Sequence, residues 1–519
     1  MHSNQSLTFD NESLARWIQQ NCQTDPNATA LVCQGQSLTY GELDLRARSL
    51  AAGLRDLGIR KGDIVAIQLP NIAEFVVSYL AISGLGAVTQ TLHMPYRYAD
   101  LKQLLGHSEA VAAICLDHVK DASPAEIVLE LREEIDSLEH VIVVGEAPDG
   151  SVPYATLAEQ DPLSRYEAVD EHDRFLLLYT SGTTAEPKGV PHCYGNFLGN
   201  ASRCVEEFQF SSGDRLMPVA PLSHLYGLYV LHLALSVGAT VVLLPVFSPP
   251  GLMDTVKQYK PTAIFAAPAH FAAAFGLDLI DTGGMPDTRL TCLSGTTVPP
   301  ELARKVDGLM PNGQVIQLWG MSEIQAGSFG RPSDSADSRQ QTAGRASPGT
   351  ELRIVDGEGR VSGSNTEGEL QMRGASVFAG YLKNEDATRE SFTAEGWFRT
   401  GDLATIDAHG FLTITGRTKE IIDRGGIKFN PLEVEKQILQ MPEVVSVAMV
   451  PMADPVLGER ACAFLQLTPN SILALEDILD TLKRAGVAKY KWPEAMRIIE
   501  EMPVTPTQKV KRGDLKAML

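Results

Sequence analysis

The sequence predicts an α/β fold: a large N-terminal domain of parallel-sheet βα layers with a small β-rich subdomain, followed by a smaller α+β C-terminal domain. Three observations lead there. At 519 residues the chain is too long for one compact core. From about residue 40 to 320, apolar strand-length runs alternate with helical patterns, as βαβ units and parallel sheets require. The pattern then changes twice, to short strands with Gly-rich turns over about 350–415 and to a separate α+β pattern from about 419. The expected domains are therefore 1–418 and 419–519, with the junction at Thr418/Lys419.

The elements follow in order. Ile64-Val-Ala-Ile67, Val111-Ala-Ala-Ile-Cys115 and Val141-Ile-Val-Val144 read as buried strands, as do Ala263-Ile-Phe265 and Leu290-Thr-Cys-Leu293. Phe175-Leu-Leu-Leu178 is another. A polar segment follows it, and Phe197, Ala201, Cys204, Val205 and Phe208 then recur at helical spacing, which puts that segment between a strand and a helix. Leu225 to Phe247 is almost wholly apolar, but His232, Ser236, Gly238, Thr240 and Pro245 interrupt it. It predicts a buried helix to Ser236, a Gly turn and the strand Thr240-Val-Val-Leu-Leu244, not a membrane span. Near the C-terminus a helix runs from Pro431 to Ile438, strands cover Val444–Val450 and Ala461–Leu467, and a helix covers Ile472–Lys483.

Hydrophobic residues make up 44% and charged residues 21%, as in a soluble globular protein. The net charge of −20 argues against a nucleic-acid or anionic-membrane partner. Seven scattered cysteines without a CxxC pair suggest reduced thiols in the cytoplasm, not a disulfide framework or zinc site. The N-terminus carries no basic-then-apolar signal pattern.

The polar segment is Tyr179-Thr-Ser-Gly-Thr-Thr-Ala-Glu-Pro-Lys-Gly189. Four hydroxyls (Thr180, Ser181, Thr183, Thr184), two glycines including Gly182, and Lys188 offer N–H and O–H donors and one cation to a polyanion. That is the chemistry for the β- and γ-phosphates of a nucleotide. The spacing departs from Gly-x4-Gly-Lys-Ser/Thr, which disfavours an ordinary P-loop kinase or ATPase. A solvated Ser/Thr/Gly turn is the alternative from this segment alone.

Further motifs stand in order along the chain: Leu38-Thr-Tyr-Gly-Glu-Leu43, Pro221-Leu-Ser-His-Leu-Tyr-Gly227, Leu318-Trp-Gly-Met-Ser-Glu323 and Arg399-Thr-Gly-Asp402. Gly416-Arg-Thr-Lys-Glu420, Arg424-Gly-Gly426 and Pro503-Val-Thr-Pro-Thr-Gln-Lys509 complete them. With the polar segment, they resemble the adenylate-forming superfamily of acyl- and aryl-CoA ligases, aryl-acid AMP ligases, nonribosomal adenylation domains and beetle luciferases. One such motif is weak evidence, whereas their ordered set from about Leu38 to Lys511 is strong.

The resemblance implies a mechanism. A carboxylate attacks the α-phosphorus of ATP, so two anions meet and the site must supply positive charge. Lys509 matches the family's C-terminal lysine, which bridges the carboxylate and α-phosphate. Lys188 with Thr180, Ser181, Gly182, Thr183 and Thr184 matches its pyrophosphate holders, and Glu323 its Mg²⁺ ligand. Trp319 takes the place of the aromatic on adenine, within Gly320, Met321 and Ser322, and Gly295, Thr296 and Thr297 fall where the other adenine face is lined. Asp402 and Arg417 correspond to the ribose partners, and Lys419 to the hinge that makes the C-terminal domain mobile. Arg424, Gly425 and Gly426 suit a pantetheine arm. Three positions depart from the family: Ser322 stands where threonine is usual, and Ala185 and Gln508 stand where glycine is, which reduces backbone freedom at those two.

His224 matches the residue at the mouth of the acyl pocket, whose wall is expected from Leu225, Tyr226, Gly227, Phe247 and Ala267. Amino-acid-activating relatives carry Asp where Leu225 stands, and dihydroxybenzoate-activating ones Asn, so neither substrate is expected. An uncharged alicyclic, aromatic or medium aliphatic acid fits these apolar positions. The expected cofactors are ATP, Mg²⁺ and coenzyme A. The alternatives are loading of a carrier-protein phosphopantetheine, favoured by Gly486-Val-Ala-Lys-Tyr-Lys-Trp-Pro493, and a non-catalytic ligand-binding relative. The sequence leaves a homodimer open.

Overall fold

The computed structural model describes residues 13–120, 122–180, 188–505 and 509–519. It divides into two compact units, one made of residues 1–351 and 373–392, the other of 352–372 and 393–519.

In the first unit the described residues form two sheets. The nine-stranded sheet runs in the order Arg345–Ala346, Gln325–Phe329, Gln314–Met321, Leu290–Leu293, Ala263–Ala266, Arg215–Pro218, Thr240–Leu243, Thr29–Cys33 and Gln36–Thr39. Its six central strands, from Gln314–Met321 to Thr29–Cys33, pair in parallel. The seven-stranded sheet runs Val152–Pro153, His140–Val144, Ala112–Leu116, Ile64–Gln68, Val88–Thr91, Arg174–Thr180 and Lys188–Cys193. Helices cover the parallel strands, which is why those strands are nearly continuous apolar runs. Val65, Ala66 and Ile67, for instance, have no exposed surface on either face.

The apolar run behaves as expected. Leu225–Val237 is a buried helix, Gly238 ends it in the left-handed conformation, and Thr240–Leu243 is a strand. No helix among the described residues is long and apolar enough to cross a membrane. One expectation needs correction. The polar segment does not lead from a strand directly into a helix. Lys188–Cys193 returns antiparallel along Arg174–Thr180, with Thr180 opposite Lys188, and only then does the helix Tyr194–Phe208 begin. Lys188-Gly-Val-Pro-His-Cys193 lacks an apolar strand pattern because its geometry comes from that pairing.

In the second unit, Thr350–Val355, Gly368–Gly374, Phe398–Ile406 and Leu412–Arg417 form a four-stranded sheet. A five-stranded sheet is built on the hairpin Val444–Asp454 and Gly458–Leu467. Val447, Met449, Ala461 and Leu465 face the helices Pro431–Ile438 and Leu475–Arg484; the alternating Val450, Cys462 and Phe464 pack with Leu515 of the C-terminal helix Arg512–Ala517. Both faces are covered, as a period of two requires. Arg512 anchors that last helix. Its guanidinium pairs with both carboxylate oxygens of buried Glu435 at 2.6 and 2.9 Å, with Glu420 at 3.1 Å, and donates to the Met449 carbonyl at 2.8 Å. The Thr418/Lys419 junction lies inside this unit, and the Asn430 side chain crosses it to donate to the Thr415 carbonyl.

Four histidines of the first unit are buried, and burial lowers their pKa values to about 4 for His93, His192 and His270 and about 3 for His232. Below the ordinary histidine value of about 6.5 the unfolded chain binds protons that the folded chain refuses. Stability is therefore lost as pH falls from 6.5 towards 4, at about 1.4 kcal/mol per pH unit for each histidine. Urea denaturation at about pH 5.5 is expected to show about 5 kcal/mol less stability than at about pH 7.5. An unchanged midpoint would contradict this account.

Candidate active site

The predicted residues of the first unit collect at the C-terminal ends of parallel strands. Arg215–Pro218 sits between Thr240–Leu243 and Ala263–Ala266, so the chain leaves it where the strand order reverses. Open α/β sheets form their ligand crevices at such points. The following loop ends at His224 and is held by the other sheet. Asn71 donates to the Ala220 carbonyl at 3.2 Å and accepts from the Leu222 N–H at 2.6 Å, while Thr91 donates to the Ser223 carbonyl at 2.7 Å.

His224 caps the helix Leu225–Val237, its Nδ1 accepting the Tyr226 N–H at 3.1 Å. The neutral ring therefore carries its proton on Nε2. His93 stacks on it at 6.2 Å between centroids, and its Nδ1 lies 2.8 Å from the Ser223 hydroxyl. Leu225, Tyr226 and Gly227 form the buried first turn, pinned where the Tyr226 hydroxyl donates to the Cys292 carbonyl at 2.9 Å. Phe247 packs on His270 at 4.3 Å between centroids. Ala267 follows the strand Ala263–Ala266, and Gly295, Thr296 and Thr297 follow the neighbouring Leu290–Leu293.

Trp319, Gly320 and Met321 end the next strand and turn through Ser322 and Glu323 into Gln325–Phe329. Position 320 admits only glycine, because a Cβ there would lie 1.9 Å from the Gln325 carbonyl oxygen. Buried His192 brings Nε2 to 2.6 Å from the Ser322 carbonyl oxygen, which can only accept, so that nitrogen carries the proton. Its Nδ1 then accepts from Asn196 at 3.1 Å. Glu323 is buried. Its Oε1 accepts the Tyr381 hydroxyl proton at 2.9 Å, and its carbonyl accepts the Phe378 N–H at 2.8 Å. The Lys188 ammonium lies over the Tyr381 ring, 4.7 Å from its centroid. Lys188 and Glu323 thus share one aromatic partner. Ser181, Gly182, Thr183, Thr184 and Ala185 lie outside the described residues, as does Gln508.

In the second unit, Asp402 and Arg417 are cross-strand partners joined at 2.9 Å, the carboxylate buried and the guanidinium half-exposed. Lys419 occupies the 3-10 turn Thr418–Glu420. Gly425 and Gly426 are the two central residues of a hairpin between Ile422–Arg424 and Ile427–Phe429, with φ of +63° and +87°. Such a two-residue turn needs positive φ at both positions, which glycine supplies. Arg424 is tied to Glu494 and to the Tyr490 carbonyl. Lys509 lies next to the Val504–Val510 bridge; its carbonyl accepts the Thr505 N–H at 2.7 Å. Tyr381, His192 and His93 were not legible as site residues, because no local motif marks them.

The family model described as AMP-binding enzyme matches residues 18–382, and that of the AMP-binding enzyme C-terminal domain matches residues 433–509. The chain belongs to the AMP-binding enzyme family. Among its relatives is the medium-chain fatty-acid–CoA ligase of Escherichia coli strain K12, 32% identical over 96% of this chain and 89% of that protein. Another is a salicylyl-CoA synthase / salicylate adenylyltransferase of a Streptomyces species, 30% identical over 97% and 93%. The solved anthranilate CoA ligase AuaEII, in complex with anthranoyl-AMP, superimposes with a TM-score of 0.90 at 26% identity, covering 100% of this chain and 99% of that one. This AMP-binding enzyme is an AMP-forming acid–thiol ligase, as the motifs implied.

Proposed function

We propose that the enzyme activates an uncharged alicyclic, aromatic or medium-chain aliphatic carboxylic acid to its acyl-adenylate and transfers the acyl group to coenzyme A. The observation that carries the reading is the pairing of Lys188 and buried Glu323 on Tyr381, an arrangement for a polyphosphate and its cation. The buried, uncharged turn Leu225–Gly227 beside His224 favours an acid without an ammonium group.

In the first half-reaction the carboxylate oxygen attacks the α-phosphorus and pyrophosphate leaves. Lys188 and the hydroxyls of its segment hold the departing phosphates, and Lys509 bridges carboxylate and α-phosphate. His224 caps its helix beside the incoming acid, while Trp319 and Gly295–Thr297 flank the adenine and Asp402 and Arg417 hold the ribose. No cluster of three or more acidic, histidine or cysteine residues among the described residues suits a metal. A single carboxylate at Glu323, completed by substrate phosphates, is the donor set Mg²⁺ accepts. Bound there, Mg²⁺ neutralises phosphate charge. In the second half-reaction the thiol sulfur attacks the acyl carbon and AMP leaves, with Gly425 and Gly426 beside the pantetheine and Lys419 as the hinge between the two steps. Seven free thiols support a cytoplasmic location.

The test is acid-dependent exchange of pyrophosphate into ATP over a carboxylic acid panel, followed by CoA. Exchange with an uncharged acid and a CoA thioester are expected. Loading of a carrier-protein phosphopantetheine without CoA thioester would move the acceptor, and exchange with no acid would remove the activity. Glu323→Gln is expected to lower turnover about tenfold or more at limiting Mg²⁺, with a wild-type melt. Unchanged Mg²⁺ dependence would take Glu323 out of the site.

A further inference from the structure

The side chain between Lys188 and Glu323 is itself fixed from both ends. Tyr381 belongs to residues 373–392, which rejoin the first unit after the chain has left it. On one side, the Phe378 N–H donates to the carbonyl of Glu323 at 2.8 Å. On the other, the Leu382 N–H donates to the carbonyl of Gly189, next to Lys188, at 2.9 Å. The Tyr381 N–H donates to the Thr388 hydroxyl at 2.9 Å, and the Phe378 ring meets the Tyr381 ring at 4.8 Å between centroids. The segment is thus stitched to the backbone of Glu323, which its aromatic side chain touches, and to that of Gly189, the residue after Lys188.

The chemistry of a tyrosine suits that place. The carboxylate can only accept, so the hydroxyl donates to Glu323. The ring face offers the Lys188 ammonium a quadrupole. Cation and anion are each oriented by one neutral group.

We propose that Tyr381 is a positioning residue for the first half-reaction: its hydroxyl aims the Glu323 carboxylate at the metal and its ring aims the Lys188 ammonium at the phosphates. This rests on the roles given above to Glu323 and Lys188. Because hydroxyl and ring serve different partners, their removal separates. Tyr381→Phe keeps the ring and loses only the donor, so the Mg²⁺ concentration for half-maximal pyrophosphate exchange rises about tenfold, as loss of an outer partner of a metal ligand does. Its KM for ATP at saturating Mg²⁺ stays at the wild-type value. Tyr381→Leu loses both, and KM for ATP rises about threefold as well. Thioester formation from supplied acyl-AMP stays unchanged in both.

The experiment measures exchange against Mg²⁺ and against ATP, thioester formation from acyl-AMP, and a thermal melt, for both variants and for Glu323→Gln. A shifted Mg²⁺ requirement in Glu323→Gln with none in Tyr381→Phe overturns the proposal and leaves the Glu323 assignment standing. If neither variant shifts it, the Glu323 assignment falls and the proposal with it. Equal losses in both half-reactions with a lowered melt assign Tyr381 a purely structural role and also overturn it.

Discussion

Replacing Lys509 with alanine is expected to lower the rate of pyrophosphate exchange by about 10²–10³-fold, the cost of removing one preorganised charge from a developing transition state. The fold should not notice. The Thr505 hydroxyl accepts the Lys509 N–H at 3.1 Å, the Lys509 carbonyl accepts the Thr505 N–H at 2.7 Å, and the Lys511 N–H donates to Pro503 at 2.8 Å. Lys509 takes part in the first two through its backbone N–H and carbonyl, which alanine keeps. In the role proposed for it, the lysine side chain serves the meeting of two anions, which happens only when the acid attacks ATP. Thioester formation from supplied acyl-AMP should therefore persist at nearly the wild-type rate. An exchange rate near wild type in the variant would sink the role assigned to Lys509.

The largest loss of stability is expected from Arg512→Met. Removing the guanidinium leaves Glu435 buried and charged, with the Met449 N–H as its remaining donor at 2.7 Å. Breaking a buried pair from one side costs about 3–5 kcal/mol. The penalty is the stranded charge, so neutralising it should restore most of the loss. In Arg512→Met with Glu435→Gln, the glutamine carbonyl still accepts from Met449 and no charge stays buried. Urea denaturation of the single and double variants decides the matter. A single variant as stable as wild type would show that the pair contributes nothing, and a double variant no better than the single would show that stranded charge is not the cause.

What the sequence made legible was local. Runs such as Phe175–Leu178 and Val444–Val450 are strands because their own residues demand burial, and the break at Gly238 turns the chain where only a positive φ serves. Gly425–Gly426, read in the sequence only as suiting a pantetheine arm, is a hairpin turn. Contacts between distant residues were not legible. Lys188–Cys193 contains a lysine, a glycine and a proline, and is a strand only because Arg174–Thr180 lies alongside. Tyr381 meets Glu323 across 58 residues and His192 meets Ser322 across 130, so no motif window holds either pair. The grouping of residues 352–372 and 393–418 with the C-terminal residues is likewise a matter of long-range contact.

The detour of the chain also sets an order of manufacture. Residues 352–372 are synthesised before residues 373–392, yet only the later segment belongs to the first unit. Domains fold as they emerge from the ribosome, N-terminal part first. Here the first unit has to wait for residue 392, because Tyr381 and Leu382 supply the last bonds to Glu323 and Gly189. The same order tells a protein engineer where to cut. Parts exchanged between relatives at residue 351 would separate Glu323 from its hydroxyl donor, whereas a junction after 392 would transplant Glu323, Lys188 and the tyrosine between them as one piece.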